Sequence, residues 1–558
     1  WQEEDGTWVY YDNDEERVTE TWKRSGNNWF WLDDNGEMAV DQLIEDDENY
    51  YYVNESGAMV SNQWVAIENE DAGEEDEPDV YWYYFQANGK AYKRSDTAGE
   101  EVVAAKTING KKYSFDTEGR MLYGWVQGGE RQTGDDAWQT ADYYFGDEND
   151  GAMAQGWTIL TVVDDNAAEN LQPGDEFWDE EQDRYFYFQT SGKKVKATQE
   201  DVDKNGEEAI ETKTIDGRKY GFDRYGRMIG SWYKNGTVYR ADENSTDDTA
   251  TQGNAAYSHE FMYFNSPEDG ARVTKDWFHV VPGYYLDEDE YNNGEDYWYY
   301  ADGKGNLYTN TIESIKGKKY AFDQYGRMID GLALLKMKRR SENPDKFSSS
   351  EIEHRYKSDE NASFYYDTED NFDALVAKSE FSEGLLSGKY RFCYFGDESD
   401  GSMKTGKQTV TIDGDSFTFK FEESGSKKGA AIHGEDDDKI YAGGKLIEAD
   451  KDDKYQIVKF DVDRDDDKKI IDIKITKLDI EDLMSEDVCR ALTEDDKENK
   501  YYDEDAEVYV MENADEDTHY YLVNTSGTIV KNKSGAKNGE DYKFNVKNYQ
   551  ITQVVLED

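Results

Sequence analysis

The sequence predicts an all-β fold, an elongated solenoid of stacked β-hairpins with a less regular β-rich C-terminal region, and three observations carry that expectation. The first is a period. Trp1, Trp22, Leu43 and Trp64 stand 21 residues apart, and Trp8, Trp29 and Tyr50, Gly36 and Gly57, and Met38 and Met59 keep the same interval. Each unit runs Trp, polar spacer, an aromatic triplet such as Trp29-Phe30-Trp31, an Asp or Asn turn, then Gly-x-Met. Aromatic alternation beside a Gly-bearing turn is the pattern of a short hairpin. The second observation is composition. A net charge of −63, from 126 acidic against 63 basic residues, would suit a disordered chain, yet 15% of the residues are aromatic, and rings bury far more area than aliphatic side chains. The third is energetic: a lone two-stranded hairpin is marginal in water, so successive hairpins gain stability by laying ring faces on one another, with Trp and Tyr along a seam and carboxylates outward.

Taken in order, residues 1–66 are the regular 21-residue hairpins, and residues 67–341 form three long units of three hairpins each. The first hairpin of a long unit carries Tyr81-Trp82-Tyr83-Tyr84-Phe85 with Gly89, and recurs at Tyr185–Phe188 with Gly192 and at Tyr297–Tyr300. The second, Gly110-Lys111-Lys112-Tyr113-Ser114-Phe115-Asp116 with Gly119-Arg120-Met121, recurs around Tyr220 and Tyr320. The third joins Tyr144-Phe145 to Gly151, Tyr263-Phe264 to Gly270 and Tyr394-Phe395 to Gly401, so the last long unit closes at about 390–407. Hairpins are expected to centre on Gly36, Gly57, Gly89, Gly119, Gly151, Gly192, Gly226, Gly270 and Gly326. Acidic inserts at 68–79, 130–141, 164–182, 241–257 and 286–296 are expected as solvated loops. All 14 tryptophans lie at or before Trp298, and Leu332 and Lys407 stand where the pattern calls for Trp. Residues 342–558 are therefore expected to be a diverged β-rich end domain or cap, with an antiparallel strand pair over 455–480 and a short helix over 479–492.

The charge excludes nucleic acid as a default partner, since phosphates would meet repulsion. Two cysteines, Cys393 and Cys489, exclude a disulfide framework and a four-cysteine metal site, and Cys393, inside a hairpin triplet, is expected to be a buried inert thiol. No apolar run is long enough to span a membrane, and the lack of an initiator Met or leader suits a piece of something longer. His259, His279, His354, His433 and His519 form no His-Glu-x-x-His motif and are expected to be isolated surface or seam residues. With so many acids, any two look paired, so a glycosidase dyad has no specific support. Calcium is the candidate ion. Asp147, Asn149 and Asp150 before Gly151 cluster oxygen ligands, Asp397 and Asp400 before Gly401 repeat the arrangement, and neither run completes a twelve-residue EF-hand loop.

The unit Trp22-Lys23-x-x-Gly26-x-x-Trp29-Phe30-Trp31, closing with Gly36-x-Met38, resembles the cell-wall-binding repeats of Gram-positive surface proteins, of the choline-binding type. The Ile108–Asp116 hairpin is similar to the related repeats of clostridial toxins and glucansucrase glucan-binding regions. The resemblance covers about residues 1–332 and, more weakly, 390–407. It implies a cation held by three aromatics from consecutive hairpins, with cage positions at Trp22, Trp29 and Tyr50 and, less completely, Trp64 and Trp82. The family's second Trp is replaced by Lys112, Lys219, Lys319 and Asp142, which confines the expected cages to the stretch before residue 85. The implied function is a non-enzymatic, extracellular region, on a cell surface or secreted, that binds cell-wall polymer, glucan or host glycan, or choline, through many weak aromatic contacts. Two alternatives stay open: a structural stalk or assembly subunit that self-associates, and a binding region attached to an enzyme whose catalytic part lies in 342–558.

Overall fold

The computed structural model describes residues 1–74, 76–95, 97, 99, 103–164, 181–206, 209–234, 252–357, 364–512, 515–538 and 541–556. The expected inserts at 164–182 and 241–257 fall largely outside these residues. The chain forms two compact units, Trp1–Thr237 with Tyr263–Arg272, and Val238–Met262 with Val273–Asp558.

The first unit is built from small antiparallel sheets. Thr21–Ser25 pairs with Asn28–Leu32, Gln42–Asp46 with Asn49–Val53, Gln63–Glu68 with Val80–Phe85, Lys106–Ile108 with Lys111–Tyr113, Gly156–Val163 with Glu181–Phe188, and Glu211–Ile215 with Arg218–Phe222. Several reversals are two-residue loops in which both residues have positive φ, as at Asp47 and Glu48 (49° and 61°), Asn109 and Gly110 (51° and 85°) and Asp216 and Gly217 (48° and 81°). That geometry matches the twist of the flanking strands. The reversals therefore do not fall on Gly36, Gly57, Gly89 or Gly119, where the sequence pattern centred them. Those glycines close a second turn after the outgoing strand. Gly36 N donates to Asp33 O at 3.0 Å, and the Asp33 carboxylate accepts the amides of Asn35 and Glu37 at 2.9 and 2.7 Å, which saves a β-turn from exposing its donors.

The second turn delivers the Met of Gly-x-Met to the preceding hairpin. Its amide donates to a strand carbonyl there: Met38 to Trp8 (2.7 Å), Met59 to Trp29 (2.8 Å), Met121 to Trp82 (2.8 Å), Met153 to Lys112 (2.8 Å) and Met228 to Tyr185 (2.9 Å). The glycine of the following step then covers that methionine. A Cβ on Gly57 would lie 2.7 Å from Met38, on Gly89 2.5 Å from Met59, on Gly151 2.4 Å from Met121 and on Gly192 2.3 Å from Met153. Gly-x-Met is thus a stacking joint, with Met offered forward and Gly leaving room for the Met behind. Phe85, Phe145, Phe188 and Phe222, all fully buried, fill the seam between joints.

The second unit continues the same joints, Met328 to Trp298 (2.8 Å), Met403 to Lys319 (2.7 Å) and Ala431 to Phe392 (2.8 Å), and adds larger sheets. A five-stranded sheet takes Thr311–Ile315 and Lys318–Phe322 together with Leu332–Arg340, Asn343–Tyr356 and Tyr390–Tyr394, so it joins residues on both sides of position 341. The expected strand pair is Tyr455–Arg464 with Ile470–Leu478, inside an eight-stranded sheet. The expected helix is shorter than 479–492: Ile480–Ser485 is helical, capped by Asp479, and Cys489–Ala491 is a strand. Two helices the pattern did not announce, Glu369–Val376 and Ser379–Ser387, put Phe372, Leu375, Phe381 and Leu385 into one core with Phe392, Phe419, Val458 and Val523.

Not every acidic insert is a solvated loop. Asp164 has a fully buried side chain bound by Arg184 and Arg227, each at 2.8 Å. In the second unit Arg327 binds Asp287 (2.9 Å), Glu290 (3.3 Å) and Asp323 (2.9 Å). Arg227 and Arg327 belong to Gly-Arg-Met runs, so in these two steps the residue between Gly and Met anchors an insert. Trp138, in the 130–141 insert, is buried as well, and its Nε1 donates to Val163 O at 2.9 Å.

Two outcomes follow from these joints and anchors. Gly110 and Gly192 share a left-handed φ, but a Cβ on Gly110 meets nothing within 4 Å; Gly192→Ala should therefore lower Tm more than Gly110→Ala, whose cost is backbone strain of about 1 kcal/mol, and equal losses would refute the Gly-on-Met joint. Burial pushes the Asp164 carboxyl up, and Arg227 and Arg184 more than reverse it, leaving its pKa below the ordinary value. A depressed carboxylate stabilises the fold above its unfolded pKa and loses that contribution as pH falls through the folded pKa. Asp164→Asn should thus cost about 3 kcal/mol at neutral pH, with the gap in Tm closing below about pH 4; a gap independent of pH would count against the ion pairs.

Candidate functional site

The joints fix which rings meet. Trp22 pairs across its hairpin with Trp31, and Arg24 with Trp29; the Trp22 ring lies 5.3 Å from Trp31 and 5.1 Å from Tyr51 of the next hairpin. Its Nε1 donates to Asp46 Oδ2 at 3.1 Å. One period earlier, Trp1 stands 5.4 Å from Tyr10 and 5.5 Å from Phe30, and a groove of about 370 Å³ opens there, lined by Trp1, Trp8, Phe30 and Met38 with Ser25 and Ser56. Trp1 and Trp8 are 36% and 43% exposed, so the walls are ring faces open to solvent.

That set is a first-strand Trp, the ring two residues before its cross-strand partner, a ring from the next hairpin, and the joint Met eight residues after it. It recurs as Trp22, Trp29, Tyr51 and Met59, and again as Trp64, Trp82, Tyr113 and Met121, where Trp64 and Tyr113 are 4.9 Å apart. It recurs at Trp157, Tyr185, Tyr220 and Met228, with Trp157 to Tyr220 at 4.8 Å, and in the second unit at Trp277, Trp298, Tyr320 and Met328, with Trp277 to Tyr320 at 4.8 Å.

Of the residues named from the resemblance, Trp22 packs on Trp31 and Tyr51, Trp29 is tied to the same step by its carbonyl, which accepts the Met59 amide, and the ring from the next hairpin is Tyr51. Tyr50 joins Leu43, Tyr52 and Tyr83 in the following step, where Leu43 and Ala91 replace the Trp and Met, and the Lys93 ammonium lies 5.6 Å from its ring. Neighbours along a strand face opposite sides, so a one-residue choice decides which step a ring serves. Trp64 and Trp82 do fall together, in one cluster with Tyr113 and Met121. The later steps lie beyond residue 85; the Met eight residues after the third ring was the available signal for them.

The surroundings are anionic. In the second unit a groove of about 420 Å³ exposes Trp298 and Met328 beside Glu295, Asp296, Asp330 and Glu398, while His279 stacks on Trp298 at 4.7 Å. Burial, then Asp46 and Asp47, push the Tyr51 phenol up, which keeps it a neutral ring. Ring faces ringed by carboxylates suit a desolvated organic cation.

The acidic runs are arranged otherwise. Asp147 Oδ1 accepts the amides of Asn149 and Asp150, both at 2.9 Å, and Asp150 pairs with Lys111 at 3.0 Å. Asp397 Oδ1 accepts those of Ser399 and Asp400, at 3.1 and 3.0 Å. Asp400 pairs with Lys404, whose hydrogen bond holds its pKa down to about 2, and with Lys318 at 3.4 Å. Among the described residues no three His, Cys, Asp or Glu side chains gather as a metal site. The Cys393 thiol is buried and pushed up to about 12 by that burial. His433 is internal, within 3.0 Å of Ile473 O and accepting Gly443 N at 3.0 Å.

The fold and its seam define a class, an all-β hairpin-repeat protein in which rings of successive steps pack on one another. The choline-binding repeat family model matches residues 18–64, the stretch that holds Trp22, Trp29, Tyr51 and Met59. Among solved structures, the modular autolysin LytC from Streptococcus pneumoniae is similar over 59% of this chain and 54% of its own, at 15% identity and a TM-score of 0.29. The chain thus spans about half the length of that autolysin. Choline binding protein F from Streptococcus pneumoniae is similar over 76% of this chain and 98% of its own, at 15% identity and a TM-score of 0.24. Alternansucrase in complex with isomaltononaose is similar over 74% of this chain and 19% of its own, at 15% identity and a TM-score of 0.16. No curated protein sequence matches the chain. Among the described residues no helix is long and apolar enough to cross a membrane.

With Oδ1 of Asp147 and of Asp397 committed to backbone amides and Asp150 and Asp400 to lysines, melting curves in calcium and in chelator should superimpose. A calcium-dependent rise in Tm would show a site by linkage.

Proposed function

We propose that the chain is a non-enzymatic, extracellular binding region that holds a cell-wall polymer through choline-type cages. The observation that carries this reading is the recurrence of the Trp, ring, ring, Met set, with an open groove at Trp1, Trp8, Phe30 and Met38. A quaternary ammonium seated there would meet ring faces on several sides, worth about 2 kcal/mol when desolvated, and nearby carboxylates would draw it in. Each cage alone is weak. A polymer that presents the cation repeatedly would engage several steps at once, so avidity replaces single-site affinity. The match of residues 18–64 to the choline-binding repeat family supports the same ligand.

The test uses the full chain on a choline-substituted matrix, eluted with free choline. Trp8 is exposed, so Trp8→Ala removes a cage wall at little packing cost, and the paired change Trp29→Tyr keeps a ring. Retention should fall in Trp8→Ala with Tm within about 1 kcal/mol equivalent of wild type, and fall less in Trp29→Tyr. Passage of the wild type through choline with retention on glucan would transfer the reading to carbohydrate stacking on the exposed Trp faces. Retention by neither would leave a stalk or assembly role.

A further inference from the structure

The step that begins at Trp125 departs from the cage pattern in two places at once. Trp125 pairs across its sheet with Tyr144, so Asp142 stands where Trp29 and Trp82 stand in their steps. The ring from the next hairpin is Phe186, 5.4 Å from Trp125. Eight residues after Phe186, where other steps place Met59, Met121 and Met228, the residue is Lys194.

The joint itself is kept. Lys194 N donates to Asp142 O at 2.7 Å, and a Cβ on Gly226 would lie 2.8 Å from Lys194 Cδ, so the lysine stem occupies the methionine seat under the next glycine. Its ammonium goes further than a methionine can. It lies 4.9 Å from the centre of the Trp125 ring and 5.6 Å from that of Phe186, and donates to the Trp138 carbonyl. The residue is 2% exposed. Among the described residues no carboxylate makes an ion pair with it: Asp142 is taken by Lys196 at 2.7 Å and Lys193 at 3.4 Å.

We infer that Lys194 is a tethered ligand of this cage: its ammonium fills the place of an external organic cation, closing the Trp125 and Phe186 step and leaving it a latent site for a small quaternary ammonium. The inference rests on the proposed cage function and deepens it by naming a step that the ligand does not enter. A buried ammonium without an ion pair is costly, and a plain filler would have been methionine, as at the neighbouring joints. What lysine adds is a positive charge between two ring faces, beside one carbonyl. Burial pushes its pKa down to about 7, Lys196 adds to the fall, and Asp142 and Asp223 oppose it.

Three measurements on the full chain test this. Choline stoichiometry by titration calorimetry should rise by one equivalent in Lys194→Met; an unchanged count, with the wild type binding, overturns the inference. A double-mutant cycle in Tm, with Trp125→Leu and Lys194→Met, should be non-additive because the ring and the ammonium act on each other; additive losses overturn it. Acetylation of the wild type, read by mass spectrometry, should modify Lys194 on the order of tenfold more slowly than Lys193, since reaction requires local opening; equal rates overturn it. If neither protein binds choline, the proposed function falls, and the cycle decides the tethered cation by itself. If Lys194→Met does not fold, the acetylation rates decide it.

Discussion

The hydrogen bond from each joint residue to a strand carbonyl of the hairpin before it sets every other distance in the repeats. A two-stranded hairpin with one aromatic face cannot hold itself together in water, and nothing in a short hairpin dictates how far along its neighbour it should sit. The bond from Met38 to Trp8, repeated at Met59, Met121 and Met228, removes that freedom. Once it forms, the next glycine lands over the methionine and the first-strand Trp meets the ring of the following hairpin about 5 Å away. Core and candidate site are therefore one construction. The rings that stabilise a step are also the walls of its groove.

The charge is distributed by the same logic. A fold with rings inward has little use for carboxylates in its seam, and most of the 126 acidic residues are in turns and inserts. Some are structural. Asp33, Asp116, Asp223 and Asp323 each accept two backbone amides with one oxygen, and this explains why an Asp precedes the joint glycine by three residues. Others are buried against arginine, at Asp164 and Asp287. The rest leave a surface whose potential attracts cations to the grooves, and at the Trp125 step the chain's own Lys194 brings its ammonium to the ring.

The sequence by itself determined the hairpin repeat, the order of its steps and the aromatic seam, because strand periodicity and Gly-bearing turns are local properties that survive in the pattern of residues. The strand pair of 455–480 was legible in the same way. Which rings share a step was decided only by the tertiary structure. Tyr50 and Tyr51 are adjacent and alike in sequence, and the choice between them depends on the face each presents after the joint has set the register. The same holds for the helices at 369–387, whose apolar residues share a core with strand residues as distant in sequence as Val458 and Val523, and for Asp164, which reads as one more acid in an acidic insert until Arg227 closes over it. Lys194 makes the point at its sharpest: an ordinary lysine in the chain, it becomes a cage-bound cation because the joint seats it where a methionine usually stands, and only distance in three dimensions places its charge between two rings.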